Sequence, residues 1–491
     1  MHHTTSATEH RGKPRARLML GMLSLGMMLP ASALAVEVEL GPTDDVSALT
    51  SSMQPGDVYT FTGGLYELET GPTWRGVGTE SEPIILKAKE GDTPVIQITS
   101  GGAVATLEDA AYITIEGIVF TGNDQWNVED SGANWYGLRV NNSSNITIEN
   151  CEIRQTVRQG ILATGDGAGL VVRRTHIHDI LRDDAIYAGC GNGTCAQSAG
   201  LIENNWLHDF QGSNADGIEI GPNSFGFEIY DNVIYNSADG GIATKATNFG
   251  DPNIVEANVV WATTNEGIDI DGGAIVRNNI VFNTQGYGIT SGPDDVASAG
   301  AIVISHNTIV GTASAGILVD RWAGADGMVL ANNAVTNVTG IAMDLEVDEF
   351  NFLAGNVATG LVVGATEGFE GGGGLGDYVD PEEWNFWPSG DSNLIGSADV
   401  SADSYVPSLD FNGLPRPGDA PDVGALERDG STNPGWQIRE GFKEDSDPAT
   451  VGGSETVNSG CGCSDEPDSG AQATPTAALI GLMFWFRRRR Y

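Results

Sequence analysis

One short pattern recurs between residues 200 and 337, and it constrains the fold more than any other feature of the chain. Each copy has alternating apolar residues, an asparagine and then further apolar residues, as in Ile-Val-Arg-Asn-Asn-Ile-Val at 275–281. The recurring asparagines, with spacings of 27, 26, 21, 28 and 26 residues, are Asn205, Asn232, Asn258, Asn279, Asn307 and Asn333. Periods of this size are typical of stacked supersecondary units. The sequence therefore predicts one solenoid rather than several globular domains.

The spacing inside each repeat is that of β-strands. Apolar and polar residues alternate within every copy, and a Gly-Ile motif with the same alternation follows a few residues later, as at 216–220 and 266–270. About three short strands fit in one period. This organisation resembles the right-handed parallel β-helix proteins. The resemblance implies an all-β fold in which inward asparagines hydrogen-bond from one turn to the next.

The register of the asparagine column extends upstream of residue 200. The same position is filled in turn by Thr175, Cys151 and Ile118. Because a free cysteine behaves as a small buried apolar residue, Cys151 is predicted to lie in the interior. A short amphipathic segment at 43–53 is predicted to form a helix that caps the N-terminal end of the solenoid.

The chain is strongly acidic. It has 66 acidic and 24 basic residues, and its formal net charge is −42. This charge repels a phosphate backbone, so nucleic acid is not an expected partner. The simplest interpretation of most of these acids is a well-solvated surface.

The first 35 residues have the three parts of a secretory signal peptide. A basic stretch at 11–17 precedes an apolar run at 18–29, and Ala33-Leu34-Ala35 offers a cleavage site. The apolar run is too short for a stable membrane span. We therefore predict export, with residues 36–427 as the β-helix domain.

Two further segments follow that domain. Residues 428–476 are polar and rich in Gly, Ser, Asp and Pro, which is typical of a flexible linker. This linker contains Cys461-Gly462-Cys463, and residues 477–491 hold an apolar run and an arginine cluster. The order resembles the myxobacterial C-terminal sorting signal. The resemblance implies membrane association through the tail and anchoring at the cell surface or outer membrane through Cys461 or Cys463.

The apolar run of the tail has ten residues, from 477 to 486. That length is too short for a permanent span and favours processing near the cysteines. The alternative is an unstructured tail with a chance apolar patch.

Cys190 and Cys195 flank a small turn. In an exported chain, this spacing predicts a disulfide. A metal site is the weaker interpretation, because two thiolates leave half of a zinc tetrahedron empty.

The outward positions of the Gly-Ile strands hold the candidate catalytic and metal-binding residues. Neighbouring strands of a sheet are about 4.8 Å apart. Lys245 is therefore expected beside Asp271, and diagonally across from Glu219 and Asp269. This arrangement predicts a groove with one lysine and several carboxylates.

Residues 78–96 resemble the first turns of β-helical polysaccharide lyases. β-Elimination of a uronate polysaccharide needs a cation to neutralise the sugar carboxylate and a base to remove the neighbouring ring proton. The resemblance implies Ca²⁺ as the cofactor and Lys245, with a lowered pKa, as the base. The implied calcium ligands are Asp216, Glu219, Asp239, Asp269 and Asp271. The competing interpretation is a structural salt-bridge ladder.

Inverting hydrolysis is the rival chemistry. It uses an acid and a base carboxylate roughly 6.5 to 9.5 Å apart. Asp183-Asp184 faintly resembles the paired aspartates of polygalacturonases, and Asp184 shares a column with Asp216. The Gly-His-Gly and Arg-Ile-Lys motifs of those enzymes are missing, so hydrolysis ranks below elimination.

A third column of outward positions contains histidine and aromatic side chains. It follows the last apolar residue of each asparagine-bearing strand and includes His178, His208, Tyr235 and Trp261. Rings stacked about 4.8 Å apart would form a platform for sugar rings. Two alternatives stay open: loops cover the column, or His178 and His208 bind a metal.

Two classes of function follow from these patterns. The first is an exported, surface-anchored, monomeric protein that binds and cleaves an acidic polysaccharide or cell-surface glycan. The second is a non-catalytic adhesion module that presents a long rigid face. The fold alone does not separate them, because one fold hosts many functions.

Overall fold

The structure is a computed structural model that describes residues 35–51, 53–122, 135–245, 250–292, 300–401 and 405–444. The predicted signal peptide before residue 35 and the predicted tail with Cys461 and Cys463 lie outside these residues. Within the described ranges, no helix combines the length and apolarity needed to cross a membrane.

The strands are numbered β1 to β40 in chain order, and most of them are parallel and form three stacks that wind along the chain. Stack 1 is a 13-stranded parallel sheet. Its strands are β1 (Glu37–Leu40), β2 (Val58–Phe61), β5 (Ile84–Ala88), β8 (Ala111–Glu116), β11 (Ser144–Glu149), β15 (Val171–Arg173), β19 (Leu201–Glu203), β22 (Glu228–Tyr230), β25 (Asn253–Glu256), β28 (Ala274–Arg277), β31 (Ile302–Ser305), β34 (Met328–Ala331) and β36 (Phe352–Ala354).

Stack 2 follows stack 1 in each turn. Its strands are β3 (Gly64–Leu68), β6 (Pro94–Ile98), β9 (Val119–Thr121), β12 (Glu152–Thr156), β16 (His176–Ile180), β20 (Trp206–Phe210), β23 (Val233–Ser237), β26 (Val259–Trp261), β29 (Ile280–Phe282), β32 (Thr308–Val310), the first part of β35 (Ala334–Leu345), β37 (Asn356–Val363) and β38 (Phe369–Gly371).

Stack 3 completes the turn. Its strands are β4 (Thr73–Trp74), β7 (Gly102–Glu108), β10 (Trp135–Asn141), β13 (Ile161–Thr164), β17 (Ile186–Ala188), β21 (Ile218–Ile220), β24 (Ile242–Thr244), β27 (Ile268–Ile270), β30 (Ile289–Ser291), β33 (Ala315–Val319) and the second part of β35. The first parts of β35 and β37 pair in stack 2, and their second parts pair in stack 3. Through these two strands, stacks 2 and 3 form one 23-stranded sheet.

The remaining short elements connect or cover the stacks. They are the parallel pair β14 (Gly167–Ala168) and β18 (Gln197–Ser198), the antiparallel pair β39 (Tyr378–Asp380) and β40 (Asn385–Pro388), and 3-10 helices at Val46–Ser51, Gly374–Asp377 and Pro381–Glu383. The first 3-10 helix is the N-terminal cap, and Val46 is fully buried in the main core. The cap is shorter and more tightly wound than the helix predicted at 43–53.

The alternation of side chains along each strand explains why the chain coils. In β21, Ile218 and Ile220 are fully buried, whereas Glu219 between them faces outward and is partly exposed. Since successive residues of a strand point to opposite faces, a Gly-Ile-x-Ile strand buries one apolar face and presents one polar face. Stacking such strands turn upon turn produces the single large core predicted from the repeat.

An asparagine ladder runs through the interior, as predicted. Each side-chain amide donates to the Oδ1 of the asparagine in the next turn, at 2.9–3.0 Å. Its members are Asn205, Asn232, Asn258, Asn279, Asn307, Asn333 and Asn356. Upstream of them, the predicted interior position of Cys151 is confirmed, because its side chain is 2% exposed.

The residue before the ladder asparagine forms a sharp corner. Asn204, Asn278 and Asn332 have φ values of 50°, 55° and 57°. Asparagine adopts this left-handed conformation more readily than most residues with a side chain. The Asn-Asn pair therefore has two tasks: its first member turns the chain from stack 1 into stack 2, and its second joins the ladder.

The C-terminal part of the described chain packs over the outside of stack 2. We call residues 378–401 and 405–444 the C-terminal cover. Trp387, Phe411 and Trp436 of the cover are 0–5% exposed, and they form a second core with Val233 and Trp261 of stack 2. The cover is an antiparallel hairpin followed by irregular chain.

The cover extends past the predicted domain boundary. Lys443 is 6% exposed, forms an ion pair with Asp231, and donates a 2.8 Å hydrogen bond to the carbonyl oxygen of Phe411. Residues beyond the predicted domain end at Glu427, up to Lys443, therefore pack against stack 2.

The predicted disulfide between Cys190 and Cys195 is present. Closing so short a loop lowers the entropy of the unfolded chain by an amount worth on the order of 2 kcal/mol. The Cys190→Ser/Cys195→Ser double variant is expected to lose about that much free energy of unfolding. Urea denaturation under oxidising conditions measures the loss, and unchanged stability would show that the bridge restrains only its own turn.

Candidate functional site

The outward residues of stack 3 form a continuous column. Strand pairing places each of them beside its counterpart in the next turn, in the order Tyr187, Glu219, Ala243, Asp269 and Thr290. The column has the register that the sequence predicts. It brings charged side chains from distant parts of the chain onto one face.

Lys245 lies just beyond the end of β24, on this face. Its backbone N–H donates to the carbonyl oxygen of Ile220 at 2.8 Å. Its Nζ lies 3.0 Å from Asp269 Oδ2 and 3.7 Å from Asp271 Oδ2. The Oγ1 of Thr290 donates to the other oxygen of Asp269 at 2.6 Å. Lys245 therefore has the carboxylate neighbours expected from the sequence.

The electrostatics of Lys245 differ from those expected of a base. Burial lowers the pKa of Lys245, but the negative charges of Asp269 and Asp271 outweigh burial and raise that pKa above its usual value. The expectation of a lowered pKa is wrong for the cation-free protein, because paired carboxylates stabilise the ammonium form.

A buried carboxylate cluster lies one turn away. Asp184, Asp216 and Glu219 each place one oxygen within 4.8 Å of the others, and Asp184 and Asp216 are 1% and 8% exposed. The backbone N–H of Asp216 donates to Asp184 Oδ1 at 3.0 Å, and the N–H of Gly240 donates to Asp216 Oδ1 at 2.8 Å. These backbone contacts fix the two aspartates in place.

Burial and mutual repulsion raise the pKa values of the whole cluster. Burial raises the pKa of Asp216 to about 7, and the charges of Glu219 and Asp239 contribute to the increase. Burial, followed by the charges of Asp216 and Glu219, raises the pKa of Asp184 well above its usual value. Three carboxyl groups so close together cannot all ionise without a compensating positive charge.

The donor set fits a hard cation. Ca²⁺ prefers several carboxylate oxygens, and this cluster offers three. Two predicted ligands, Asp216 and Glu219, belong to it. The third member, Asp184, was not among the predicted ligands, although its shared column with Asp216 was a usable signal.

The other three predicted ligands have different surroundings. Asp269 and Asp271 face Lys245. Asp239 accepts a 3.1 Å hydrogen bond from Asn265 Nδ2, and its charge acts on Asp216 and Glu219. The five predicted ligands thus lie in one acidic patch. Asp216 and Glu219 belong to the buried cluster, whereas Asp269 and Asp271 pair with Lys245.

Inverting hydrolysis fits this geometry poorly. The nearest oxygens of Asp184 and Asp216 are within 4.8 Å, which is closer than the roughly 6.5–9.5 Å that such enzymes use to admit a water. Asp184 is also almost completely buried. The short separation and the burial of Asp184 therefore argue against an acid and a base that act across a water.

Tyr187 is a site residue that the sequence reading did not single out as functional. Its hydroxyl is buried and has no hydrogen-bond partner among the described residues. Burial, with the charges of Glu219 and Asp184, raises the pKa of Tyr187 to about 12. A Cβ on Gly221 would lie 2.6 Å from this hydroxyl, so glycine at 221 leaves room for the ring.

The pKa of Asp216 predicts how stability changes with pH. Its carboxyl binds its proton more tightly in the folded protein, with a pKa of about 7, than in the unfolded chain, where an aspartate has its ordinary pKa of 3.8. That stabilising effect is fully present below about pH 4 and is lost as the pH rises through about 7. With Ca²⁺ removed by a chelator, the free energy of unfolding is expected to fall over this range.

The Asp216→Asn variant isolates this effect. Asparagine keeps an oxygen for the N–H of Gly240 but has no charge, so the variant is expected to have the flatter pH profile and to exceed the wild type in stability at about pH 8. Urea denaturation at several pH values measures both profiles, and Asp391→Asn, at an exposed position, is the control. Parallel profiles for wild type and Asp216→Asn would contradict the assignment.

The predicted ring column is present on the outside of stack 2. Neighbouring rings are stacked with centroids 4.4–5.5 Å apart. The column consists of His178, His208, Tyr235, Trp261 and Phe282.

The C-terminal cover buries much of this column. Tyr235 and Trp261 are each 4% exposed, and Trp384 of the cover contacts Trp261 with a centroid distance of 5.3 Å. This burial favours the alternative in which chain covers the rings. The side chains of His178 and His208 keep 15% and 12% of their surface exposed.

Comparisons with known proteins agree with the architecture. A family model described as "Right handed beta helix region" matches residues 159–339. A search of curated proteins found no match. Among similar solved structures, pectate lyase Pel9A has 14% identity and a TM-score of 0.49, and the match covers 80% of this chain and 96% of that chain. Alginate lyase from Paenibacillus sp. str. FPU-7 has 17% identity and a TM-score of 0.45, with 58% of this chain and 97% of that chain covered. The A-module of mannuronan C-5 epimerase AlgE6 from Azotobacter vinelandii has 16% identity and a TM-score of 0.42, with 64% of this chain and 90% of that chain covered.

The strand pairing and the family model together confirm the predicted fold. The solved structures are too distant in sequence for a substrate or residue role to be transferred from them. By fold, the chain is a right-handed parallel β-helix protein.

Proposed function

We propose that this protein binds an acidic polysaccharide on the outward face of stack 3 and cleaves it by calcium-assisted β-elimination. One observation carries the proposal: the ammonium group of Lys245 lies among Asp269, Asp271 and a buried carboxylate cluster on one face of a rigid β-helix. A polyanionic chain needs positive charge at its carboxylates, and at this acidic patch Lys245 and bound cations would supply it.

The candidate residues divide into two roles. Asp184, Asp216 and Glu219 would hold the cation, with Asp239, Asp269 and Asp271 completing its acidic surroundings. Bound Ca²⁺ would neutralise the uronate carboxylate and so acidify the ring proton beside it. Neutral Lys245 would take that proton while the glycosidic C–O bond breaks and a C=C bond forms in one fragment; the leaving oxygen of the other fragment takes a proton from solvent and becomes a hydroxyl.

Cation binding and proton removal by Lys245 are expected to be coupled. In the cation-free protein, Asp269 and Asp271 keep Lys245 protonated. Lys245 can act as a base only if its ion pairs with these two carboxylates are broken, because its pKa then falls. The positive charge of a cation held by the neighbouring cluster would draw these carboxylates away from Lys245, so elimination is expected only when calcium is present.

A non-catalytic surface module is the second candidate function. Two observations favour it: Lys245 already has two carboxylate partners, and the C-terminal cover buries Tyr235 and Trp261. In this case, the acidic face would bind glycan through cations without chemistry. In both cases, we propose export through the signal peptide and surface anchoring through Cys461 or Cys463.

Elimination has a direct assay. Purified protein is incubated with pectate, alginate and chondroitin, and the absorbance of the unsaturated product is followed with calcium or with a chelator. We expect product from one uronate polymer, and only with calcium. Binding of a polymer without product would support the surface module, and neither binding nor product would overturn both candidates.

A further inference from the structure

A cluster of three histidines lies on the outside of stack 2, apart from the lysine groove. His176 and His178 both face outward from β16, and His208 faces outward from β20, beside His178. One ring nitrogen of each histidine lies within 4.8 Å of the other two. The Nε2 atoms of His176 and His208 are 2.8 Å apart.

Two of these histidines have oriented rings. The Nδ1 of His178 is 2.9 Å from Asp179 Oδ2, and the Nδ1 of His208 is 2.9 Å from Asp209 Oδ2. The same His-Asp pair thus occurs in two consecutive turns. When Nδ1–H donates to a carboxylate, it leaves the Nε2 lone pair free, as in many metal-binding histidines.

Stacking restrains the third histidine. The ring of His176 packs on the indole of Trp206 with a centroid distance of 3.8 Å and an interplanar angle of 2°. This packing holds the His176 ring in place while its Nε2 lies 2.8 Å from the Nε2 of His208.

The charge around the cluster favours a cation. Glu152, Asp179 and Asp209 border the rings, and Glu152 Oε1 is 3.4 Å from His178 Nε2. Arg154, which pairs with Glu152, is a basic side chain that acts on His176. The surroundings therefore hold more negative than positive charge.

We propose that His176, His178 and His208 bind one divalent transition-metal ion of the imidazole-preferring class, such as Zn²⁺, Co²⁺ or Ni²⁺. Two imidazoles on tetrahedral zinc, with Zn–N bonds of about 2.0–2.1 Å, have nitrogens about 3.3 Å apart. The 2.8 Å separation in the structure needs to widen by about half an ångström, which small side-chain rotations provide. The ion would link β16 to β20.

This site differs in chemistry from the proposed calcium site. It offers ring nitrogens, whereas the stack 3 cluster offers carboxylate oxygens. Nitrogen donors select transition metals over Ca²⁺. The two proposals therefore stand or fall separately.

Calorimetry on the full-length protein tests the site. The protein is stripped with a chelator and titrated with Zn²⁺ in excess Ca²⁺, which occupies oxygen-rich sites. We expect one Zn²⁺ per chain at this cluster. With Co²⁺, visible absorption bands of nitrogen-coordinated metal should appear and should be lost on adding Zn²⁺.

Two variants make the result specific. His208→Phe keeps a ring to stack on Tyr235 but has no ligand nitrogen, so it is expected to lose at least about tenfold in affinity. Asp209→Asn changes a half-exposed positioning residue and is expected to weaken binding by about 10- to 100-fold without affecting folding. His2, His3 and His10 are present in every variant, so the differences report on this cluster.

Equal affinity and stoichiometry in the wild type, His208→Phe and Asp209→Asn would overturn the proposal. So would the absence of stoichiometric Zn²⁺ binding by the wild type.

Discussion

Asn258→Ala is expected to lower the free energy of unfolding by about 2–6 kcal/mol. Asn258 Oδ1 accepts hydrogen bonds from the backbone N–H and the side chain of Asn232. Its Nδ2 donates to the carbonyl oxygen of Ile229 and to Asn279 Oδ1. Alanine leaves the buried backbone N–H of Asn232 without its acceptor, which costs about 1–3 kcal/mol, and removes the side-chain bonds to Ile229 and Asn279, each worth about 0.5–1.5 kcal/mol.

Urea denaturation measures this loss, and hydrogen exchange at the amide of Asn232 localises it. Asn393→Ala, at an exposed position, is the matched control and should change stability by less than about 0.5 kcal/mol. A loss at Asn258 no larger than that of the control would show that the ladder is not stabilising.

Asn258→Asp separates hydrogen bonding from packing. Aspartate has nearly the same shape, but its second oxygen would face the carbonyl oxygen of Ile229 and repel it unless protonated. Burial raises the pKa of such a carboxyl, so this variant should be closest to the wild type at low pH and lose stability as the pH rises. A pH-independent loss would indicate a packing defect instead.

The sequence predicts the interior of this fold well because two strict periods determine it. Alternation within a strand decides which side chains are inside, and the turn-to-turn period places equivalent residues over one another. Asn356 also belongs to the ladder, although it lies outside the predicted column. Gly355 before it, with φ of 62°, makes the same left-handed corner that Asp231, Ala257 and His306 make in other turns.

The C-terminal cover was harder to predict for a physical reason. Its contacts join Trp436 and Lys443 to residues some two hundred positions earlier, such as Asp231, and no period marks them. The polar composition of residues 428–444 indicated a linker. Buried aromatic rings, the ion pair of Lys443 with Asp231 and hydrogen bonds such as that from Arg416 to Asn278 hold the cover against the solenoid.

The sequence predicts which residues of the candidate site are neighbours, but it does not predict the direction in which the pKa of Lys245 is shifted. The columns place Lys245 near Asp269 and Asp271, as the structure confirms. Whether a lysine pKa is raised or lowered depends on side-chain distances of a few ångströms. Sequence spacing does not supply those distances, and for that reason the expected sign was wrong.

Lys245→Ala is expected to reduce calcium-dependent elimination by at least about 100-fold, since a positioned proton-transfer group typically contributes 10²–10⁴-fold. The rate of formation of unsaturated product measures the change. Lys89→Ala is a matched control: Lys89 also pairs with a carboxylate at 3.0 Å, that of Glu39, but it lies on the first turns of stack 1. This control should retain activity within about twofold.

The same pair of variants separates the two candidate functions. If the wild type eliminates and Lys245→Ala keeps its rate, Lys245 is not the base. If the wild type only binds uronate polymer and Lys245→Ala binds more weakly than Lys89→Ala, the groove is a glycan-binding face without chemistry. Calcium should strengthen binding in both cases, because the carboxylates of Asp216 and Glu219 would otherwise repel an acidic polymer.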